Sequence, residues 1–114
     1  MADCLFCDIA AGKMAAKKVY EDEALLALED INPQAPVHLL IIPRKHIGSL
    51  AELEAGDREL IGDIFLLAQK LAREKGIEAA GYRVVANCNR EAGQSVFHIH
   101  FHLLGGRRMA WPPG

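Results

Sequence analysis

The chain has 114 residues, of which 51% are hydrophobic, and its formal net charge at pH 7 is −2. This length and apolar content suit one domain with its own core, so we expect a single domain over residues 1–114. The balanced charge lacks the basic stripe of a general nucleic-acid-binding protein, and no apolar run reaches the roughly 18 residues of a membrane-spanning helix. The start MADCLFCDIAAG lacks a signal-peptide pattern. We therefore expect a cytoplasmic protein with neither nucleic acid nor membrane as partner.

The first half of the sequence predicts one short helix followed by three strands. The predicted elements are a helix at 4–11 and strands at 19–21, 24–29 and 37–42. The third strand is an apolar run interrupted by His38 and ended by Pro43, which is typical of a well-buried strand.

The second half predicts two helices and then two strands. Ser49 and Glu52 form the S-x-x-E pattern of a capping box, which predicts a short helix, and Asp57 is the candidate cap of a longer one. Gly76 predicts the end of that longer helix. Its apolar face comprises Leu60, Ile64, Leu67 and Leu71.

Two strands, 82–86 and 97–104, follow and are expected to pair antiparallel across the loop 87–95. The order of elements predicts an α+β domain with a mostly antiparallel sheet. We expect the long helix to cover one face of that sheet and histidines to occupy the other.

Three of the five histidines occupy alternate positions of the last predicted strand: His98, His100 and His102. Successive side chains of a strand point to opposite faces, so the three imidazoles are expected on one face. The alternating apolar residues, expected in the core, are Phe97, Ile99, Phe101 and Leu103. This arrangement favours a functional site, because imidazoles bind metals, exchange protons and act as nucleophiles.

A neutral imidazole can attack phosphorus near pH 7 and form a covalent phospho-histidine. Neighbouring imidazoles can then hold the phosphate oxygens and pass a proton to the leaving group. The amide of Asn87, the backbone at Gly93 and the hydroxyl of Ser95 are candidates to stabilise the transferring group. His38 lies on an earlier strand and is a candidate to complete the cluster.

These residues carry a resemblance. HIHFHLL, EDINPQAPVHLLIIPRKHI, GYRVVANCNREAGQSVFHIHFHLLGGR and the ending MAWPPG resemble the Hint branch of the histidine-triad (HIT) superfamily, from about residue 4 to the end. The resemblance implies a single HIT domain over 1–114 with a five-stranded antiparallel sheet, one long helix and one or two short helices. It also implies a homodimer in which the sheet extends across both protomers.

The resemblance further implies a purine nucleoside phosphoramidase, which cleaves the P–N bond of AMP-amine compounds, and in related members acyl-AMP adducts, and releases AMP. By position, His100 would be the nucleophile, the carbonyl of His98 would orient it, and His102 and His38 would contact the phosphate and relay protons. The nucleotide-binding residues implied are Asp30 for the ribose, Leu5, Phe6, Leu28 and Ile31 for the base, Asn87, Gly93, Gln94 and Ser95 for the phosphate and leaving group, and Trp111 from the partner subunit. From the residues alone, Leu28 and Ile31 suit a core and Asp30 suits a turn.

Cys4-x-x-Cys7 has the spacing of zinc sites and redox pairs. It resembles bacterial-type HIT proteins that bind a structural zinc, and by position the other ligands here would be His46 and His98. Catalysis itself would need no cofactor. The alternative is a pair of reduced cysteines that pack as small apolar residues. Zinc at His98 conflicts with a shared strand face for His98 and His100, unless twist at the start of the strand separates them.

Three other functions stay open at this point. Another HIT activity, dinucleoside polyphosphate hydrolysis or nucleotidyl transfer, uses the same chemistry with a different leaving group. A metalloenzyme would use His98, His100 and His102 as a catalytic metal site. A scaffold would act through its partners. Separately, Cys88 lies near the predicted phosphate loop, where oxidation would affect activity.

Overall fold

The computed structural model describes residues 4–114, which form one five-stranded sheet with helices on both of its faces. The strands and α-helices are α1 Leu5–Ala10, β1 Lys18–Glu21, β2 Leu25–Glu29, β3 Val37–Pro43, α2 Arg58–Glu74, β4 Tyr82–Val85 and β5 Phe101–Gly105. Short 3₁₀ turns span Leu50–Glu52, Ala55–Asp57 and Arg90–Ala92. Within 4–114, no helix has the length and apolar content needed to cross a membrane.

The sheet has the strand order β1-β2-β3-β5-β4, and every neighbouring pair is antiparallel. The α+β class, the antiparallel sheet and the pairing of the last two strands are therefore confirmed. The register between β3 and β5 places Leu40 opposite His102 and His38 opposite Leu104. Because residues two apart in a strand share a face, His38 and His102 lie on the same face of adjacent strands.

The two faces of the sheet bury different partners. On one face, Leu39, Ile41 and Leu103 pack against α2. On the other, Leu26, Leu28, Leu40 and Ile42 pack against Phe6 and Ile9 of α1. The histidines of the sheet lie on the α1 face, because His102 pairs with Leu40 in the register.

Helix α2 follows its apolar periodicity, with Ile64, Leu67 and Leu71 buried, and the chain turns after it at Gly76 with φ +73°. Its start differs from the prediction. The Ser49 side chain makes no capping bond, and the capping box is formed by Glu54 and Asp57 around the second 3₁₀ turn. The Asp57 carboxylate thus accepts from the Glu54 amide and pairs with Lys45, instead of capping α2.

The predicted histidine strand is wrong in its first half. β5 begins at Phe101, and residues 97–100 lie outside the sheet ladder. The register explains the difference, since it would pair residue 99 with Pro43, where β3 ends, so earlier residues have no partner strand. Without the alternation of a strand, Phe97 is half exposed rather than in the core, and His98 is completely buried.

Candidate active site

His38, His100 and His102 form one group of imidazoles on the α1 face. The ring of His102 lies between the other two, with ring centroids 5.2 Å from His38 and 5.2 Å from His100. His98 does not join this group and instead lies beside Cys4, Cys7 and His46. A site in which all three alternate histidines share one face is therefore not formed.

The ring of His100 is oriented by a backbone carbonyl. Its Nδ1 lies 2.8 Å from the carbonyl oxygen of His98, and an oxygen of this kind can only accept. Nδ1 therefore donates, which leaves Nε2 of the neutral ring with a free lone pair. Phe6 packs edge-on against the same ring, at 5.0 Å between centroids. The unprotonated nitrogen is thus fixed in direction from two sides.

His38 and His102 form a directed hydrogen-bonded chain. The backbone N–H of Gln34 donates to Nδ1 of His38 at 3.0 Å, so the proton of the neutral ring sits on Nε2. That Nε2 lies 2.9 Å from Nδ1 of His102 and donates to it, which places the His102 proton on its own Nε2. Asp30 approaches Nε2 of His38 at 3.4 Å. This chain can move a proton between the carboxylate of Asp30 and the Nε2 side of His102.

Burial keeps both rings of this chain neutral. Burial, together with the nearby rings of His100 and His38, lowers the pKa of His102 to about 4. Burial also lowers the pKa of His38, against the opposing effect of Asp30. At neutral pH these imidazoles therefore donate through one nitrogen and accept through the other.

Two cavities lie beside α1, and Leu5 lines both. The predicted base slot has a volume of about 220 Å³. Its lining includes all five residues expected there, Leu5, Phe6, Leu28, Asp30 and Ile31, together with Ile9, Leu40 and the segment Met14–Lys17. Leu28 is buried, as a core residue would be, whereas Ile31 is fully exposed at the rim.

The second cavity, of about 270 Å³, is lined by Cys4, Leu5, Ser95, Val96 and Phe97. It lies on the side of the loop that was expected to hold the leaving group. Ser95 is exposed in this lining, and its predicted role at the leaving group stays a prediction.

The remaining loop residues divide into two groups. Gly93 ends a 3₁₀ turn with φ +95°, a conformation that favours glycine, and Asn87 is half-buried on the approach to the loop. Gln94 differs from the prediction that it binds nucleotide. Its buried amide donates to the carbonyls of Gly48 and Val96 and accepts from the amide of Asn89. Gln94 thus holds the loop in place.

Asp30 forms the expected turn, and its predicted role at the ribose stays a prediction. Oδ1 accepts from the backbone of Asn32 at 2.8 Å, as in an Asx turn, while the other oxygen faces His38. Trp111 lies in the C-terminal tail and is 83% exposed, and the tail is tied to the sheet by a bond from Arg83 to the carbonyl of Ala110. The predicted role of Trp111 involves a second protomer and stays a prediction.

Cys4, Cys7, His46 and His98 form a second cluster at the start of α1. Their ligand atoms lie within 4.8 Å of one another. The His98 Nδ1 is 3.3 Å from the sulfur of Cys4, 3.5 Å from that of Cys7 and 3.1 Å from Nδ1 of His46. With Zn–S about 2.3 Å and Zn–N about 2.0–2.1 Å, the edges of a tetrahedral site measure about 3.3–3.8 Å. The four residues therefore fit a tetrahedral zinc.

The tautomer of His98 also suits a metal. Nε2 of His98 donates to the carbonyl of Pro43 at 2.7 Å, so Nδ1 presents its lone pair to the cysteines. Burial lowers the pKa of His98, which keeps the ring neutral. Burial together with Cys4 raises the pKa of Cys7 to about 11, so a metal that binds this thiol has to displace its proton. Zinc and phosphate do not compete for one place, because the His98 ring lies with the cysteines and the His100 ring lies beside His102. Phe6 contacts both rings.

Some groups of the site have no side-chain signal in the sequence. Gln34 contributes its backbone N–H and Pro43 its backbone carbonyl. Such backbone groups occur along the whole chain, so the sequence does not mark them. Met14–Lys17 lies in a segment without periodic structure. Only the apolar lining of Ile9 and Leu40 had a signal, through their membership of a predicted helix and strand.

Comparison with known proteins gives the family. The HIT domain pattern matches residues 11–109. A HIT family hydrolase from Legionella pneumophila is 54% identical with a TM-score of 0.97, over 98% of this chain and 100% of that one. A histidine triad protein from Clostridium difficile is 41% identical with a TM-score of 0.92, over 96% of each chain. An uncharacterized HIT-like protein of Synechococcus elongatus is 45% identical over 98% of this chain and 97% of its own length. The chain belongs to the HIT family and is similar to its hydrolases.

Proposed function

We propose that this protein is a HIT hydrolase that cleaves the P–N bond of purine nucleoside 5′-phosphoramidates and releases AMP. The observation that carries the proposal is the His100 ring, whose Nε2 is left unprotonated by the bond from Nδ1 to the His98 carbonyl. A fixed lone pair beside two neutral imidazoles is what nucleophilic attack on phosphorus requires.

In the first step, Nε2 of His100 attacks phosphorus, a new N–P bond forms, and the bond between phosphorus and the amine breaks. The departing amine takes a proton from Nε2 of His102, and the proton on Nε2 of His38 shifts to Nδ1 of His102. The chain then holds one proton fewer, and nucleotidyl-His100 one positive charge more, until the second step. Passing the proton along this chain avoids the release of a strongly basic amide anion. The product of the step is nucleotidyl-His100 and a free amine.

In the second step, water attacks the same phosphorus and the bond to His100 breaks. The proton lost by that water returns to the chain of His102 and His38, so the site regains its initial protonation. AMP leaves, and His100 is neutral again. Acyl-AMP adducts would follow the same route with a carboxylate as leaving group.

The two cavities support the assignment of substrate. In the proposal the base enters the slot lined by Phe6 and Leu28, and Asp30 binds the ribose hydroxyls. The amine occupies the cavity lined by Ser95 and Phe97. Asn87 and Gly93 lie on the phosphate side. We further propose the homodimer, with the sheet extended across two protomers and Trp111 reaching the partner's site.

We propose that the cluster of Cys4, Cys7, His46 and His98 binds a structural zinc. The ion, when bound, would link the start of α1 to the segments that carry His46 and His98, and would take no part in bond cleavage. The fit of the four donors to a tetrahedron supports this role. Metal analysis of protein purified without chelator tests it, and less than about a tenth of an equivalent of zinc would contradict it.

The activity is tested by measuring AMP release from adenosine 5′-phosphoramidate with the parent and with His100→Ala. We expect turnover by the parent and none by the variant. Intact mass spectrometry of the parent, quenched during turnover, should show a covalent AMP adduct that is stable in base and lost in acid, as expected for a phosphorus–nitrogen bond.

The other outcomes separate the alternatives. Turnover that persists in His100→Ala would contradict a nucleophilic histidine and favour a metal-activated water. A parent that ignores the phosphoramidate and cleaves a diadenosine polyphosphate would keep the chemistry and change the leaving group. A parent that cleaves neither would contradict the proposed activity.

A further inference from the structure

The segment that carries the nucleophile has no support from the sheet. Residues 97–100 precede β5 and take no part in the sheet pairing. Yet the carbonyl of His98 must hold a fixed position, because it orients the ring of His100 at 2.8 Å. Other contacts must therefore hold this segment.

Three polar contacts hold this segment, and all three are made by His98 or Ile99. Nε2 of His98 donates to the carbonyl of Pro43 at 2.7 Å, and the amide of Ile99 donates to the carbonyl of Ile47 at 2.6 Å. The third is the other ring nitrogen of His98, which faces Cys4, Cys7 and His46. The ring of His98 is completely buried, so both of its nitrogens are committed to these partners.

The cluster meets the reaction centre at His98, and Phe6, between Cys4 and Cys7 in the chain, contacts the rings of both His98 and His100. The side chain of His98 belongs to the cluster, and its backbone carbonyl orients His100. His46 reinforces the link, since the next residue, Ile47, accepts the bond from Ile99. A shift of the cluster therefore shifts the carbonyl on which the direction of Nε2 depends.

Resting on the proposed function, we infer that Cys4, Cys7 and His46 are positioning residues for the reaction: by holding the His98 ring, they fix the carbonyl that aims His100 at phosphorus. A site that only fastened α1 would affect stability and, through Leu5 and Phe6 of the base slot, KM. A positioning cluster affects kcat, because a misplacement of about 1 Å can cost about a hundredfold in rate. It leaves KM nearly unchanged, since the base slot and Asp30 bind the substrate elsewhere.

The first test compares Cys7→Ser with two core variants of α2, Ile64→Val and Leu71→Ala, which lie on the opposite face of the sheet. Cys7 contacts both His46 and His98, so serine removes a metal ligand with little change in volume. All proteins are assayed well below their melting temperatures. We expect Cys7→Ser to lower kcat about 10- to 100-fold with KM within about twofold, and the core variants to keep kcat despite lower melting temperatures.

His46→Asn provides a second variant, and it should show the same split, because the exposed His46 can be replaced without opening the core. Zinc content is measured for each protein. A kcat that falls no further in Cys7→Ser and His46→Asn than in the core variants, although zinc is lost, would overturn the inference.

The second test reads the orientation of His100 without turnover. Nitrogen-15 NMR of histidine-labelled protein follows the Nδ1 proton of His100, which is protected from exchange by its bond to His98. We expect this proton to exchange faster in chelator-stripped parent and in His46→Asn, and to stay protected in Ile64→Val. A protected proton in the stripped protein would overturn the inference. If the parent cleaves no phosphoramidate, the proposed function fails and this measurement still decides the positioning role.

Discussion

The two halves of the histidine group are held by different means. His38 and His102 lie on paired strands, where the β3–β5 register sets their separation through many backbone bonds. His98 and His100 lie where the ladder has ended, and a few bonds from side chains to carbonyls set their positions. In the proposed mechanism, we therefore expect the half that relays protons to tolerate local change and the half that carries the nucleophile to depend on each of its supports.

The largest effect is expected from His100→Ala, which removes the proposed nucleophile. AMP release should fall by at least about a thousandfold, because the neighbouring imidazoles of His38 and His102 do not replace the missing nucleophile. Steady-state assay measures the rate, and circular dichroism controls for folding. A folded variant with more than about a tenth of parental turnover would contradict the division of roles.

His102→Gln tests the other half and should have a smaller effect. The variant loses the proton donor but leaves His100 and its carbonyl in place, so turnover should fall about 10²- to 10³-fold. A covalent AMP adduct should still form with a good leaving group such as a carboxylate, because that group needs no proton. Rapid quench followed by mass spectrometry detects the adduct. Its absence would mean that His102 also serves the attack itself.

Gln94→Ala examines a support of the loop next to the nucleophilic half. It removes the bonds to Gly48, Val96 and Asn89, and leaves buried backbone groups unpaired. The free energy of unfolding should fall by about 1–3 kcal/mol. Urea denaturation measures it, with the exposed Glu91→Ala in the same loop as a control expected within about 0.5 kcal/mol of the parent. Equal stabilities of the two variants would contradict the bracing role.

The smallest effect is a pH dependence of stability from the relay half. The folded pKa of His102 is lowered from 6.5 to about 4, so between these values the unfolded chain binds more protons than the folded one. Its stabilising contribution is complete above about pH 6.5 and is lost as pH falls towards 4. Urea midpoints measured from pH 4 to 7 should rise less steeply for His102→Gln than for the parent. Parallel curves would show that His102 titrates normally.

The sequence predicted well the half of the histidine group that lies on paired strands, His38 and His102. Apolar runs placed β3 and the end of β5, and α2 followed from Ile64, Leu67 and Leu71. The proximity of His38 and His102 follows from the pairing of their strands, because alternate residues of paired strands share one face of the sheet. The loss of alternation at residues 97–100 was not predictable, because it depends on where two distant strands end.

The site was predictable to the extent that side chains carry it. Alternation marked His100, and the resemblance supplied the base slot and the four residues of the cluster. The tautomers were not predictable, because they depend on the amide of Gln34 and the carbonyls of Pro43 and His98. Gln94 was assigned to the nucleotide because its chain position next to Gly93 and Ser95 does not reveal the direction of its amide.

Helix α1 has only six residues, which is too short to be stable by itself, and it is secured at both ends. Cys4 and Cys7 hold its start, and the guanidinium of Arg44 donates to the carbonyl of Ala10 at its end. Between these attachments, Leu5 and Ile9 face the base slot. Under the proposed function, we therefore expect exchange of these two side chains to change substrate preference while the helix stays where its ends place it.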